Sequence, residues 1–305
     1  TAMLYLLDYG AGNIQSLANS LTKLGYTYEW VREPSDISKA DKLLFPGVGS
    51  FASAMDALHA KGYVEPLRAY IQSGKPLMGI CVGMQVLFEG SDESPGVQGL
   101  GIVPARVGRF ATQDAFGRKA VPHMGWSLAN VVEWDGCADQ RHELAKSYGM
   151  HDANPSHYYF VHSYRVAWDA NVAEWALTTT QYGNEIFVSS VQHANVFATQ
   201  FHPEKSGQAG LDLLAAWLQL EHVEPTTRVG RPVSSTEHMP TRRIVACLDV
   251  RSNDAGDLVV TKGESYDVRE RGEQDAGASH VRNMGKPVEL AQRYYDDCLL
   301  YTSDA

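Results

Sequence analysis

Short apolar runs alternate with segments of helical periodicity over the first hundred residues of the chain. Leu4 to Leu7 forms the first run, and Ile14, Leu17, Leu21 and Leu24 then recur three or four positions apart. Buried strands that alternate with amphipathic helices are typical of a parallel sheet covered by helices on both faces. This part of the chain is therefore predicted to be an α/β domain with a doubly wound parallel sheet.

One apolar run ends at a cysteine that is flanked by glycines. Pro76 to Ile80 leads into Cys81, and a helix is predicted from Val82 to Phe88. Glycines on both sides of the cysteine fit the tight strand–turn–helix geometry of a nucleophile elbow. A thiol at a helix N-terminus is favoured in its thiolate form. Although most buried cysteines are inert, Cys81 is predicted to be a nucleophile.

A histidine and a glutamate follow another predicted strand, Val196 to Phe201. His202 is expected to take the proton of the Cys81 thiol, and Glu204 is expected to fix the tautomer of the imidazole. The chain order is nucleophile, base and orienting carboxylate. Together the three residues indicate a cysteine hydrolase.

The glycine-rich turn Pro46 to Phe51 follows the apolar run Leu43 to Phe45. It is either a plain tight turn or a source of backbone N–H groups for the oxyanion that forms when a thiolate attacks an amide carbonyl. We favour the second role, with Val48 and Gly49 nearest the chemistry. Gln85 lies one helical turn after the nucleophile, where it either binds polar groups of the substrate or is a solvated helix residue.

The pattern changes near Leu100 to strands and loops rich in aromatic residues, and a last helix is predicted from Gly210 to Leu220. Among these strands, His157, His162 and His193 lack carboxylates at metal-ligand spacing and are interpreted as structural. A polar, proline-bearing stretch then favours a linker. The predicted organisation is a first domain at 1–221, a linker at 222–241 and a second segment at 242–305.

The second segment opens with a predicted strand that ends in Asp249, and a further apolar run leads to Lys262. Asp249 is either a cap or a catalytic group, because barrel enzymes hold catalytic side chains at strand ends. Lys262 is either a surface charge or a contact to phosphate or substrate. The segment is far too short for a complete α/β barrel, which needs roughly 200 residues or more.

Composition narrows the possible partners. The net charge is −10 and no basic run is present, which argues against nucleic acid. No apolar stretch approaches the roughly 20 residues that cross a bilayer, so no membrane partner is expected. The four cysteines are scattered without a metal-binding spacing, so no metal is expected. No targeting segment is recognisable, which favours the cytoplasm, or a plastid if such a segment has been lost.

Several segments resemble the signatures of a known family. Gly79 to Gln85 and Gln200 to Ser206 resemble the class I, triad-type glutamine amidotransferases, whose fold is a flavodoxin-like, doubly wound sheet. Within that class, three further segments look like the glutaminase of the imidazole glycerol phosphate synthases: Pro46 to Phe51, Pro122 to Trp126 and Tyr159 to Arg165. After the linker, Ala246 to Val250 and Asn283 to Val288 resemble the opening of that family's (β/α)8 cyclase barrel.

The resemblance implies roles for individual residues. Cys81, His202 and Glu204 match the triad, and three residues match the positions that hold glutamine and its oxyanion: Val48, Gly49 and Gln85. In the second segment, Asp249 matches the first cyclase carboxylate and Lys262 matches a substrate-contacting lysine. Arg243 matches a charged residue at the barrel floor, where ammonia enters.

The implied function is the hydrolysis of glutamine to glutamate and ammonia in histidine biosynthesis. The cyclase would use the ammonia to convert a phosphoribulosyl aminoimidazole-carboxamide ribonucleotide (PRFAR) to imidazole glycerol phosphate and the ribonucleotide AICAR. The expected partners are glutamine, PRFAR and the chain's own cyclase barrel, without any cofactor. The barrel is expected to be truncated, with about eight foreign residues at its end. The alternatives are a glutaminase for another acceptor pathway and a silent binding or regulatory fragment.

Overall fold

The computed structural model describes residues 2–10, 14–115, 117–134, 145–150, 156–220, 230–231, 249–252, 258–262 and 282–283. The chain separates into two compact units, Thr1–Glu237 and His238–Ala305. Most of the predicted linker, 222–241, lies outside the described residues, so the predicted domain boundaries stay a prediction.

Along the chain, the helices of the first unit lie between the strands of its main sheet and after the last of them. Their bounds are α1 (Ile14–Lys23), α2 (Pro34–Lys39), α3 (Phe51–Ala60), α4 (Val64–Gln72), α5 (Val82–Gln85) and α6 (Gly207–Gln219), with a 3₁₀ helix at Pro203–Lys205. Ile14, Leu17 and Leu21, the apolar residues at helical spacing, lie in α1, where Leu17 and Leu21 are buried. At the start of α3, the Ser50 hydroxyl accepts a hydrogen bond from the backbone N–H of Ser53 and caps the helix.

The strands of the first unit are shorter and more numerous than the helices. They are β1 (Leu4–Leu7), β2 (Glu29–Val31), β3 (Lys42–Gly47), β4 (Leu77–Cys81), β5 (Phe88–Ser91), β6 (Val103–Arg109), β7 (Gln113–Asp114), β8 (Gly117–Arg118), β9 (His123–Leu128), β10 (Asn130–Val131), β11 (Glu133–Trp134), β12 (His157–His162), β13 (Tyr164–Ala167), β14 (Ala176–Tyr182), β15 (Glu185–His193), β16 (Val196–Thr199) and β17 (Gly230–Arg231).

The main sheet is parallel in its first part. Its strand order is β2-β1-β3-β4-β16-β15-β13-β6-β5, with β14 beside β15 and β10 beside β14. The neighbours from β2 to β16 run parallel. An order that begins 2-1-3-4 is the flavodoxin-like winding, in which ligands bind outside the carboxyl ends of the strands near the point where the order reverses. The sheet therefore places the ends of β3 and β4 at the expected binding edge.

The second part of the sheet, where the sequence predicts strands and loops without a direction, contains antiparallel pairs. β15 runs antiparallel to β16, and β13 runs antiparallel to both β15 and β6. The physical reason at β15 and β16 is their connection, which is only Ala194 and Asn195, with Ala194 at φ +48°. Two residues can join antiparallel strands but cannot reach the start of a parallel one. The result is a mixed α/β sheet.

The helix predicted from Val82 to Phe88 is also shorter than expected. The structure ends α5 at Gln85, and Phe88 begins β5. The backbone carbonyls of Val86 and Leu87, which a continuing helix would use, instead accept hydrogen bonds from the N–H groups of Leu100 and Ile102. Because the segment that contains Leu100 and Ile102 takes these carbonyls, the helix cannot continue, and α5 is only four residues long.

The second unit is described only as a small antiparallel sheet of β18 (Asp249–Ser252), β19 (Leu258–Lys262) and β20 (Arg282–Asn283). Asp249 is the first described residue of β18 and lies opposite Thr261, and the residues before it in the predicted strand lie outside the described ranges. Lys262 is the last residue of β19. Arg243 lies outside the described residues, and the predicted barrel opening stays a prediction.

Candidate active site

Cys81 lies at the junction of β4 and α5 in a strained backbone conformation. Its φ is +54° and its ψ is −109°, and the residue is 6% exposed. A positive φ is unfavourable for a residue with a β-carbon and persists where the surrounding structure enforces it. A strained nucleophile on a strand-to-helix turn is the geometry of a nucleophile elbow. The structure therefore has the backbone arrangement that the glycine-flanked cysteine predicted.

Close backbone packing explains the glycines around Cys81. A β-carbon on Gly83 would lie 2.0 Å from the carbonyl oxygen of Phe45, and one on Gly47 would lie 2.2 Å from the backbone nitrogen of Gly83. Real β-carbons do not approach other atoms so closely, so β3 is packed directly on the backbone of the elbow. The register pairs Gly47 with Cys81 across β3 and β4. The two glycines thus bring the turn after β3 beside the cysteine.

His202 and Glu204 form a buried pair beyond the end of β16. Nδ1 of His202 lies 2.7 Å from Oε1 of Glu204, and the two side chains are 2% and 6% exposed. The backbone N–H of His202 donates to the carbonyl of Tyr159 at 2.9 Å, and the Ser206 hydroxyl donates to the carbonyl of His202 at 2.6 Å. These bonds fix the main chain of His202, while Glu204 fixes its ring.

The electrostatics connect His202 to the cysteine. Burial lowers the pKa of His202, but the negative charges of Cys81 and Glu204 and the hydrogen bonds to both side chains outweigh it and raise the pKa to about 10. Because Nδ1 donates its proton to Glu204, Nε2 is the ring nitrogen that is available to the sulfur of Cys81. A pKa raised in this way favours the positively charged form of His202 at neutral pH, as a general acid requires.

The turn after β3 has the conformation expected of a backbone donor site. Gly49 has φ +108°, and nothing lies within 4 Å of the position its β-carbon would occupy. Val48 is 38% exposed. The turn is anchored on its far side, where the backbone N–H of Phe51 donates to Oε2 of Glu93 at 2.8 Å. Val48 and Gly49 therefore lie in the open segment between an anchored helix and the elbow, and their role in binding an oxyanion stays a prediction.

Gln85 is buried rather than solvated. Its Nε2 atom donates to the carbonyl of Tyr164 at 3.1 Å and to Oε1 of Gln200 at 2.9 Å, and the residue is 4% exposed. Gln200 in turn places its Nε2 atom 3.7 Å from Sγ of Cys81. The sequence alone does not single out Gln200, although its position two residues before His202 at the same strand end is a usable signal. Binding of substrate by Gln85 stays a prediction.

The remaining predicted site residues belong to the second unit. For Asp249 and Lys262 the structure describes the backbone alone, and Arg243 is outside the described ranges. In the part of the chain whose side chains are described, no group of three or more His, Cys, Asp and Glu residues is arranged to hold a metal ion. None of the helices with described residues is long and apolar enough to cross a membrane.

Comparison with known proteins identifies the family of the chain. The model of the class-I glutamine amidotransferase family matches residues 5–218. The chain is 48% identical over 295 residues to imidazole glycerol phosphate synthase hisHF of Emericella nidulans, a match that covers 96% of this chain and 51% of that protein. It is 41% identical over 218 residues to imidazole glycerol phosphate synthase subunit HisH of Methanothermobacter thermautotrophicus, covering 72% of this chain and 98% of the subunit.

A solved structure shares the fold. PurLQS from Thermotoga maritima aligns with a TM-score of 0.52 and 16% identity over 72% of this chain and 98% of that chain. The chain spans about half the length of the fused relatives it matches, whereas it covers nearly all of the single-domain subunit. The chain therefore belongs to the class-I glutamine amidotransferase family and, within it, to the group formed by the imidazole glycerol phosphate synthases.

Proposed function

We propose that this chain is the glutaminase of a histidine-biosynthetic enzyme and that it hydrolyses glutamine to glutamate and ammonia. The observation that carries the proposal is the buried contact of Nδ1 of His202 with Glu204 beside the nucleophile elbow, where Cys81 and Glu204 raise the pKa of His202 to about 10. Cys81 supplies the nucleophile and His202 the acid, which are the two groups that amide cleavage through a thioester requires.

The reaction proceeds in two steps. The Cys81 thiolate attacks the carboxamide carbon of glutamine, and the resulting tetrahedral oxyanion collapses to a glutamyl thioester as the C–N bond breaks. His202 gives its proton to the departing nitrogen, which leaves as ammonia. Water then attacks the thioester carbon while neutral His202 takes one of its protons, and glutamate leaves as the thiolate and the imidazolium are restored.

The Glu204 carboxylate favours the charged form of His202 in each cycle, because it lies against Nδ1 throughout. The backbone N–H groups of Val48 and Gly49 are our candidates for binding the oxyanion, since their turn is packed beside the elbow and open on one side. No step in this scheme requires a metal or an organic cofactor.

The ammonia is proposed to serve a cyclase fused to the glutaminase. The match to the Emericella nidulans protein covers 96% of this chain and so runs through most of the second unit. We assign 242–305 to the opening of a (β/α)8 cyclase barrel that converts PRFAR to imidazole glycerol phosphate and AICAR. Asp249 is its first catalytic carboxylate, Lys262 contacts substrate, and Arg243 lies where ammonia enters. We propose the cytoplasm as its compartment.

The test is glutamate release from glutamine by the purified chain, alone and together with a complete cyclase barrel and PRFAR. We expect slow release by the chain alone and faster release with barrel and ligand, because wasteful hydrolysis is avoided when the acceptor site controls the glutaminase. Cys81→Ser is the matched blank, since it changes one atom of the nucleophile. Glutamate release that persists in Cys81→Ser would contradict the proposal. So would the absence of glutamate release by the unmodified chain under every condition.

A further inference from the structure

Two buried histidines face each other on neighbouring strands next to the proposed active site. His123 on β9 is paired with His162 on β12 in the strand register. Nδ1 of His123 lies 3.1 Å from Nε2 of His162, and the residues are 2% and 6% exposed. The sequence pattern indicates a structural role for His162, and the proposed reaction gives neither histidine a role.

One backbone carbonyl determines which nitrogen of each ring carries the proton. Nδ1 of His162 lies 2.8 Å from the carbonyl oxygen of Tyr164, which can only accept, so His162 carries its proton on Nδ1. Its Nε2 must then accept, and Nδ1 of His123 must donate to it. Nε2 of His123 is left as an acceptor for the Ser127 hydroxyl at 3.0 Å. Both histidines are thereby fixed in the Nδ1–H tautomer.

The surroundings keep both rings neutral. Burial and the positive charge of Lys119 lower the pKa of His123 to about 4. The pKa of His162 lies well below its usual value. Burial is the largest cause, and repulsion from His123, His202 and Arg165 adds to it. A neutral His162 is needed for this arrangement, because a proton on its Nε2 would face the Nδ1–H of His123.

The same carbonyl also orients two amides that lead to the nucleophile. The Tyr164 oxygen accepts from Nε2 of Gln85, which fixes which end of that amide carries nitrogen. The second hydrogen of that nitrogen goes to Oε1 of Gln200, so Nε2 of Gln200 must face Sγ of Cys81. The hydrogen bonds therefore allow only one orientation of each side-chain amide, that of Gln85 and that of Gln200.

We propose that His123 and His162 are positioning residues for the nucleophile: the neutral, tautomer-locked pair fixes the Tyr164 carbonyl, and through Gln85 it directs the Gln200 amide at the Cys81 thiolate. A donated N–H stabilises the thiolate and holds it in place for attack. The effect on glutamine turnover rests on the proposed function, whereas the orientation of the network does not.

The first test reads the tautomers directly in the full chain. In ¹⁵N-histidine spectra at neutral pH, His123 and His162 should each show a protonated Nδ1 and an unprotonated Nε2. His123→Gln and His162→Gln assign the two signals, and His59→Gln, at an exposed position, is the control that should leave both unchanged. A protonated Nε2 on either histidine overturns the network.

The second test follows alkylation of Cys81 by iodoacetamide, measured on the cysteine's own peptide by mass spectrometry. His162→Phe keeps an aromatic ring but removes both nitrogens, and we expect alkylation to slow about five-fold, the effect of one hydrogen bond. His162→Asn retains a donor near the position of Nδ1 and should stay close to the wild-type rate. A purely structural role predicts that Asn is at least as harmful as Phe.

A double-mutant comparison tests whether His162 acts on the alkylation rate of Cys81 through the amides of Gln85 and Gln200. Gln200→Met should slow alkylation about as much as His162→Phe, and the double variant should be no slower than Gln200→Met alone. Multiplicative effects of the two changes, or a wild-type rate in His162→Phe, overturn the proposal. If His162→Phe fails to fold, the tautomers and the Gln200→Met and His162→Asn rates still decide it.

Both tests are independent of glutamine hydrolysis. A chain that releases no glutamate yet shows both Nδ1–H tautomers and the coupled alkylation rates contradicts the proposed function alone. A chain that hydrolyses glutamine but shows a protonated Nε2 on His162 contradicts the positioning role alone.

Discussion

Oε1 of Glu204 accepts the Nδ1 proton of His202 at 2.7 Å, while its Oε2 is buried without a hydrogen-bond partner among the described residues. A carboxylate that has given up most of its solvation interacts strongly with the single cation it faces. The interaction should matter most when His202 is positively charged, which is the state that donates a proton to the departing nitrogen.

Glu204→Gln should therefore lower kcat by about a hundred-fold or more, with a smaller change in KM, because the hydrogen bond can be kept while the charge is lost. Glu65→Gln is the control, since this glutamate lies on the surface of α4 and pairs only with Arg68 among the described contacts. Steady-state glutamate release measures both variants. Equal kcat in wild type and Glu204→Gln would remove the carboxylate from the mechanism.

The protonation of His202 gives a pH prediction. Because its pKa is raised to about 10, the ring should keep both protons from neutral pH up to about pH 10 in the folded chain. Cys81→Ser removes a negative charge beside the imidazolium, so the neutral ring is favoured and the pKa should fall. The measurement is the histidine ¹⁵N shift of His202 as a function of pH in the two chains. An unchanged titration in Cys81→Ser would mean that the thiolate does not face the ring.

Gly83→Ala tests the packing of the elbow. The new methyl group would meet the Phe45 carbonyl at 2.0 Å, so β3 and the elbow must separate, and we expect a loss of roughly 3 kcal/mol in the free energy of unfolding. Gly96→Ala is the matched control, since nothing lies within 4 Å of its added β-carbon. Urea unfolding compares the two. Similar midpoints would show that β3 does not need to approach the elbow so closely.

Gly49→Ala tests the turn for a catalytic role separately from stability. Gly49 and Gly74 both have positive φ, +108° and +79°, and in both an added β-carbon meets nothing within 4 Å. Both changes should cost about 1 kcal/mol in unfolding free energy through backbone strain. Only Gly49→Ala should also lower kcat, because only its turn adjoins Cys81. Equal kcat in the two variants would exclude Gly49 from oxyanion binding.

The parts of the site carried by contiguous segments were predictable from the sequence. Cys81 with its glycines, and His202 with Glu204, each lie within a few residues of one another, so the local turn and the local pairing follow from short-range geometry. The family match confirms the class of enzyme that these segments indicated. The parallel part of the sheet was likewise predicted, because alternating strands and helices specify it.

The parts that depend on distant pairings were not predictable. Gln200 meets Cys81, and His123 meets His162, only because strands far apart in sequence are placed in one particular register. The end of α5 was predicted too late, because the carbonyl of Val86 bonds to Leu100 rather than to the next helical turn. Helical spacing alone does not indicate that a later segment will compete for those carbonyls.

The most direct test of the central claim is to look for the glutamyl thioester on Cys81. The chain, supplied with a complete cyclase barrel and PRFAR, is mixed with glutamine and quenched in acid, and the peptide that contains Cys81 is analysed by mass spectrometry. We predict that this peptide gains one glutamyl group in the wild type and that the adduct is absent in Cys81→Ala. Glutamate release without any adduct, or an adduct on a different residue, would contradict the role of Cys81 as the nucleophile.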